Sequence, residues 1–315
     1  MPLTLTYRLA ISIRRYLLEK GRGISLHRAP VIVVGNITVG GTGKTPLLMA
    51  LITELRERGY KPGVVTRGYG GRGGIYPVLV TENTSAEISG DEPLMIVRST
   101  GCPVVADPKR LNALRYLLEN CDCDLVLSDD GLQHYAMPRD IEIAVVDGAR
   151  GVGNKHCLPA GPLREPQGRL HEVDFVSINV TESDHFQPKL IQLDPFRIVP
   201  IKFVNLVTQE TVFVEHWSRS KNVHAVAAIG APSRFKIILR QLGFNVFFHI
   251  YDDHSVLEAD DLCFDDDLDI IITAKDAVKV SARNNKKLWV LEVEAFIESD
   301  LIDRLQLRLN EIECH

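Results

Sequence analysis

Residues 35–46, GNITVGGTGKTP, place glycines at 40, 41 and 43 ahead of Lys44 and Thr45. That succession of residue types suits a polyphosphate. Glycine backbone lets amide N–H groups approach phosphate oxygens, and the start of a helix adds partial positive charge. A lysine ammonium reaches the β- and γ-phosphates as a compact charge, and a threonine hydroxyl can ligate Mg²⁺. The residues expected to cradle a nucleotide are therefore Gly40, Gly41, Thr42, Gly43, Lys44 and Thr45. The general phosphate-loop pattern, G-x-x-x-x-G-K-[ST], asks for glycine at position 38, where this chain has Thr38. The first glycine serves the turn into the loop, so its loss weakens the pattern and leaves the amide cradle.

A phosphate-loop enzyme also needs a carboxylate at the end of a neighbouring strand to hold magnesium. LVLSDDGLQH offers Asp129 and Asp130 after an apolar run. Adjacent carboxylates are costly to desolvate there without a cation; the bland alternative is a solvated turn. His134 either faces the phosphates or caps the loop. In SGDEPLMI, Asp91 and Glu92 precede an apolar run, and helix N-capping explains them as readily as chemistry does. IIITAKDA lacks the Asn-Lys of an N-K-x-D guanine reader, and Val39 stands where some ATPases carry a signature lysine.

These residues need a frame that brings strand ends together. VIVVGN reads as a buried strand and KTPLLMALITELRERG as an amphipathic helix. PGVVT, CPVVAD, DLVLSDD, IEIAVVD and VDFVSINV read as further strands, with PKRLNALRYLLEN a helix. Strand–helix alternation with apolar β-rich runs implies an α/β fold whose parallel sheet is covered on both faces. LPAGPLREPQGRL is a loop, and 196–218 reads as two strands around a turn near Thr208, a hairpin and a plausible hinge. The pattern then restarts: strand, helix stopped by Gly243, strand, strand, strand and a C-terminal helix. The expected organisation is an N-terminal segment 1–28, a phosphate-loop domain 29–195, a linker 196–218 and a smaller α/β domain 219–315.

A net charge of −5 excludes nucleic-acid binding by overall charge. No apolar run approaches the ~18 residues of a membrane-spanning helix. The six cysteines show no C-x-x-C pair or zinc spacing and read as reduced thiols, with Cys121 and Cys123 packed around a turn. The N-terminus is basic: Arg8, Arg14, Arg15, Lys20, Arg22 and Arg28 stand against Glu19. Leu5, Leu9, Ile13 and Leu17 make one helical stripe, although the apolar letters from Leu3 to Ile13 also alternate as in a strand. Two readings stand for such a helix: packing on the domain, or lying on an anionic membrane surface.

Taken in order, VGNITVGGTGKTP, TRGYG, GDEP, DDGLQH and LPAGPLREP resemble the tetraacyldisaccharide 4′-kinases of lipid A biosynthesis in Gram-negative bacteria, with sparser likeness in GAPSRF, YDDHSV and TAKDAVK. That family is not expected to carry the first loop glycine, so Thr38 fits. The resemblance implies transfer of the ATP γ-phosphoryl group, with Mg²⁺, to the 4′-hydroxyl of a tetraacyldisaccharide 1-phosphate, giving lipid IVA. It implies an enzyme peripheral to the cytoplasmic face of the inner membrane, and favours the membrane reading of the N-terminal helix. We expect a monomer. Residue by residue, Lys44 and Thr45 match the phosphate and magnesium positions, Asp91 the catalytic aspartate, and His254 the histidine that supports it. Glu92, Asp129 and Asp130 match acids around Mg²⁺; Gln133 and His134 lie near the nucleotide; Arg67 and Tyr69 match substrate-contacting positions. Arg164 and Glu165 of LREP have no role derivable from sequence. A non-catalytic or regulatory phosphate-loop ATPase is the competing reading.

Overall fold

The structure, a computed structural model, describes residues 2–20, 29–71, 74–180, 191–280 and 284–313. Helix α1 (Pro2–Lys20) is followed by β1 (Val31–Gly35), α2 (Lys44–Glu57), β2 (Pro62–Thr66), β3 (Val78–Val80), α3 (Ala86–Ser89) and α4 (Asp91–Thr100). Next come β4 (Val104–Ala106), α5 (Arg110–Asn120), β5 (Leu125–Asp129), β6 (Ile141–Asp147) and β7 (Phe175–Asn179). The chain continues through β8 (Asp194–Asn205), β9 (Thr211–Phe213), β10 (Asn222–Ala227), α6 (Pro232–Gln241) and β11 (Asn245–Ile250). It ends with β12 (Asp269–Thr273), α7 (Ala274–Ala277), β13 (Leu288–Ile297) and α8 (Ser299–Glu313). Residues 21–28, with Arg22 and Arg28, and Cys314 lie outside the described residues.

Local sequence accounts for the central elements. Every residue of β1 is buried, as an all-apolar strand in a doubly covered sheet should be. In α2, Leu47, Leu48, Leu51, Ile52 and Leu55 repeat at helical spacing on the buried face. Pro46 sits in the first turn, where a missing N–H leaves no hydrogen bond unmade. α2, α4 and α8 share one core over one face of the sheet, with Leu301, Ile302, Leu305 and Leu309 of α8 packed among them. α5 and the 132–170 loops fill the opposite face, where Tyr7 of α1 also docks. Apolar letters from Leu3 to Ile13 permit a strand, but the segment is helical, and its Leu5, Leu9, Ile13 and Leu17 stripe points outward. The 78–80 strand had no sequence signal of its own. Three residues pairing antiparallel with β4 are too short to show a period.

All the strands among the described residues belong to one sheet, ordered β11-β10-β12-β13-β8-β7-β6-β1-β5-β2-β4-β3, with β9 paired to β8. Around β1 the strands run parallel: β5 on one side, β6 on the other. The hairpin between the two halves forms as β8 and β9, and β8 also carries the sheet onward. Its first residues pair parallel with β7, and from Phe196↔Ile297 to Asn205↔Trp289 it pairs antiparallel with β13, with one register shift between Glu292 and Val293. β12, β10 and β11 run parallel to β13. The second half has its own aromatic core, in which the Phe203 ring lies tilted against Trp217 at 4.5 Å and meets Phe244 at 5.5 Å. Cys102, Cys121, Cys123, Cys157 and Cys263 are free thiols.

Phe203 belongs both to the inter-half strand and to that core. Phe203→Ala should cost about 3–5 kcal/mol of stability, read as a lowered midpoint of urea unfolding.

Candidate active site

The loop after β1 turns on Gly40 and Gly43, each at φ 92, where a side chain would be strained. Thr38 has no such demand. It forms an antiparallel bridge with Leu163, and Val39 N donates to Pro162 O at 2.8 Å. The missing glycine is thus a strand-like entry, clipped to the 156–165 loop. On the other flank, Asn179 Nδ2 donates to Thr42 O at 3.2 Å. A Cβ on Gly43 would lie 2.6 Å from that Nδ2 and 2.9 Å from Ile198 Cδ1.

Lys44 and Thr45 open α2, so the first-turn amides and the lysine face the same space. Lys44 Nζ lies 3.5 Å from Asp130 Oδ1. Asp130, at φ 48, also accepts from Arg164 Nη1 at 2.9 Å. Burial would raise the Asp130 carboxyl, but Lys44 and Arg164 outweigh it and hold it below the usual carboxylate range. Asp129 differs. Burial, then the charges of Glu92 and Asp130, push it up to about 7. Its Oδ1 is buried without a hydrogen-bond partner among the described residues. An orphaned carboxylate oxygen next to Asp130 and within the field of Lys44 fits a divalent cation, which would restore the charged form. Among the described residues, no three or more His, Cys, Asp or Glu side chains form a ready metal cage. Magnesium asks for less: one or two carboxylates, phosphate oxygens and water.

The 156–165 loop brings its own charges. Arg164 N donates to Ile37 O at 2.6 Å. Gln133 Nε2 donates to Asn36 O at 3.0 Å and to Glu165 Oε1 at 2.6 Å, and Tyr135 OH donates to Glu165 Oε2. His134 is held down to about 4 by burial, with Arg110 and Arg67 adding to it, so its ring is neutral at pH 7. Its backbone closes the turn, taking N–H to Gly131 O at 2.9 Å.

A second cluster faces this one. Asp91 begins α4, is 4% exposed, and accepts from the Glu92 amide on Oδ1 at 3.0 Å. The acids stand in the first turn, where negative charge is favoured, but the N-cap is Gly90 and no side chain caps it, and Asp91 Oδ2 still has a further partner. His254, from the far half of the chain, places Nδ1 3.0 Å from it. His254 sits at φ 67 in the turn after β11, and the Tyr69 ring lies 5.0 Å from its own. Lys275 Nζ is 3.2 Å from Glu92 Oε1, 3.7 Å from Asp91 Oδ2 and 3.7 Å from Asp253 Oδ1. Burial opposes its charge, but those three carboxylates raise its pKa. Glu92 thus sits with Lys275 and Asp91 and is felt by Asp129 through space. Arg67 is exposed at the end of β2.

Comparisons with known proteins agree over nearly the whole chain. The sequence profile of the family described as Tetraacyldisaccharide-1-P 4'-kinase matches residues 1–310. A tetraacyldisaccharide 4'-kinase of Hahella chejuensis is 45% identical over 320 residues, covering 100% of this chain and 93% of its own. One of Ectopseudomonas mendocina is 46% identical over 310 residues, covering 98% and 91%. The chain belongs to the tetraacyldisaccharide-1-P 4'-kinase family. A crystal structure of LpxK from Aquifex aeolicus in complex with ATP superposes with a TM-score of 0.82 at 26% identity, covering 98% of this chain and 97% of that one. Family membership makes the chain a lipid A precursor kinase, and the regulatory ATPase reading is not favoured.

Four charged groups of this kinase site drew no role from sequence alone. Lys275 was weighed in a guanine-reading motif and lies in TAKDAVK of the sparser family likeness, without a role of its own. Arg164 and Glu165 stood out as charges in a Pro/Gly-rich loop, but the contacts to Asp130 and Gln133 cross long stretches of chain. Arg110, buried with Nη2 donating to Asp129 O at 2.8 Å, read as an ordinary helix residue.

Gly43→Ala puts a methyl group against Asn179 at a φ that disfavours it. Affinity for Mg-ATP should fall by about tenfold or more in equilibrium titration, with the fold retained by circular dichroism.

Proposed function

We propose that this chain transfers the γ-phosphoryl group of ATP to the 4'-hydroxyl of tetraacyldisaccharide 1-phosphate, giving lipid IVA, with Asp91 and His254 as the pair that handles the acceptor's proton. The observation that carries the residue assignment is the 3.0 Å contact between His254 Nδ1 and Asp91 Oδ2, made across the two halves of the molecule.

Phosphoryl transfer depends on in-line positioning and on stabilising charge spread over the phosphate oxygens. The amides of residues 40–45 and the Lys44 ammonium supply fixed positive charge for this. Thr45, Asp129 and Asp130 are the residues that would hold Mg²⁺, with Glu92 close by; the ion, when bound, neutralises phosphate charge. Arg164 and Lys44 keep Asp130 ionised, ready to accept rather than donate. Gln133 and the neutral His134 line the same turn near the nucleotide. On the acceptor side, a sugar hydroxyl is a weak nucleophile, and a positioned base contributes roughly 10²–10⁴-fold. Asp91 takes the hydroxyl proton on its carboxylate, and His254, in contact with Oδ2, stabilises or receives it. Tyr69, exposed with its ring 5.0 Å from that of His254, and Arg67, exposed at the end of β2, would meet the substrate's polar headgroup.

In this reading residues 29–195 form the kinase domain, 196–218 the linker and 219–315 a smaller domain that brings His254 to the site. Helix α1 gives the protein its membrane contact, on the cytoplasmic face of the inner membrane, and the protein acts as a monomer. Leu5, Leu9, Ile13 and Leu17 are exposed on one face, with Leu9 63% exposed. Arg8 and Arg14 flank them, and each basic residue near an anionic surface adds about 1 kcal/mol. Tyr7 OH donates to Arg164 O at 3.0 Å, tying the helix to the loop that carries Arg164 to Asp130. No helix among the described residues is long and apolar enough to cross a membrane.

Incubation with Mg-ATP and the tetraacyldisaccharide 1-phosphate in detergent should yield a 4'-phosphorylated product. Asp91→Ala and His254→Ala should each lower kcat by about 10²-fold or more, and the double variant should be little worse than either. Fully additive losses would rule out a coupled pair. Replacing both Leu5 and Leu9 by Glu should cut cosedimentation with anionic vesicles at low salt while leaving ATP affinity unchanged; undiminished vesicle binding would sink the role given to α1.

A further inference from the structure

Flanking the phosphate loop on the side away from Asp129 and Asp130 is a carboxylate with more cations than it needs. Asp147 ends β6, next to β1, and is buried. Its Oδ1 accepts the amides of Ala149 and Arg150, each at 3.1 Å. Its Oδ2 accepts from Arg150 Nε at 3.0 Å and lies 3.0 Å from Arg234 Nη2. Arg150 alone satisfies this carboxylate and is held there by its own backbone. It is also part of the loop's wall: Nη2 donates to Gly41 O, and a Cβ on Gly40 would come within 2.9 Å of Nη1. Arg234 is the added charge. It comes from the second half of the molecule, in the first turn of α6, and its guanidinium is partly exposed. The residue before that helix, Ala231, lies against Gly41: a Cβ there would sit 3.5 Å from the Ala231 Cβ. One buried negative charge and two guanidiniums leave a net positive charge at the rim of the loop.

We propose that Arg234 is a nucleotide-binding residue contributed by the second half of the chain. It rests on Asp147 without ligand and donates to the phosphate chain of ATP lying in the 38–45 loop. Arg150 keeps Asp147 neutralised when Arg234 turns to the phosphates, so the exchange leaves no buried charge uncompensated. A guanidinium suits the task because its fork gives two N–H bonds to adjacent phosphate oxygens. Its place on the β6 side of β1, opposite Asp129, Asp130 and Asp91, assigns it to holding the nucleotide and not to proton transfer. The inference rests on the nucleotide occupying the 38–45 loop.

The test is equilibrium titration of the full-length protein with Mg-ATP and Mg-ADP, with thermal midpoints recorded for every variant. Arg234→Met should weaken both nucleotides by roughly tenfold, raise KM for ATP more than it lowers kcat, and leave KM for the lipid acceptor unchanged. Arg234→Lys should recover part of the affinity. Asp147→Asn frees the guanidinium, so it should bind Mg-ATP as tightly as the parent or more tightly. A merely structural ion pair predicts the opposite, equal loss from Arg234→Met and Asp147→Asn, and that result would overturn the proposal. So would parental affinity in Arg234→Met while Lys44→Met binds poorly. Parental affinity in both would remove the loop reading as well.

Discussion

The site depends on a reversal of strand direction. β8 leaves the first half of the sheet parallel to β7, extends past its carboxyl edge, and pairs along its length with β13 returning the other way. Every strand beyond β13, namely β12, β10 and β11, keeps that returning direction. The carboxyl ends of the second set therefore point back at the carboxyl ends of the first. In open α/β sheets those ends carry the ligand-binding loops. Here two such edges meet, with the 228–231 and 251–254 loops, the start of α6 and α7 set against the phosphate loop and α4. Between Arg197 and Pro200 the pairing partner is β13, so a two-stranded ribbon spans the gap and sets the approach of the two edges.

That geometry solves a charge problem. Asp91, Asp129, Asp130, Glu92 and Glu165 converge on one interior, and a buried carboxylate without a partner is strongly destabilising. No single element carries enough cations. Lys44 comes from α2, Arg110 from α5, Arg164 from the 156–165 loop and Lys275 from α7 of the opposing edge. Asp129 keeps one oxygen without a hydrogen-bond partner among the described residues, the feature that fits a metal-assisted reaction best. The charges thus act as fasteners between elements distant in sequence, and the same residues set the protonation states the chemistry needs.

What sequence reveals of this molecule follows the range of the interactions. Phosphate-loop glycines, the helix of Leu47 to Leu55 and the apolar strands are local patterns, so periodicity and turn chemistry locate them. Asp91 is local in one role and remote in the other. Its place at a helix start was readable from GDEP, while its contact with His254 spans 163 residues of the chain and needed a family resemblance. Lys275 and Arg234 lie in TAKDAVK and GAPSRF of the sparser family likeness but drew no role from it, since a lysine after a strand and an arginine in a first helical turn are ordinary. Thr38 is the instructive case. A departure from pattern looked like a defect, but its cause, a bridge to Leu163, lies in a loop that no spacing rule connects to it.

That bridge also explains why the 156–165 loop cannot be a passive connector. It hydrogen-bonds Ile37 and Val39 at the entry to the phosphate loop, sends Arg164 to Asp130 and Glu165 to Gln133, and receives Tyr7 of α1 on the Arg164 carbonyl. On the proposed reading of α1 as the membrane contact, one segment then touches the metal-side carboxylate, the nucleotide loop and the helix at the lipid surface. An acylated acceptor whose chains stay in the bilayer must present its hydroxyl at a fixed height above that surface. A rigid link of this kind holds the phosphate loop at a matching height, which a flexible tether to α1 would not do.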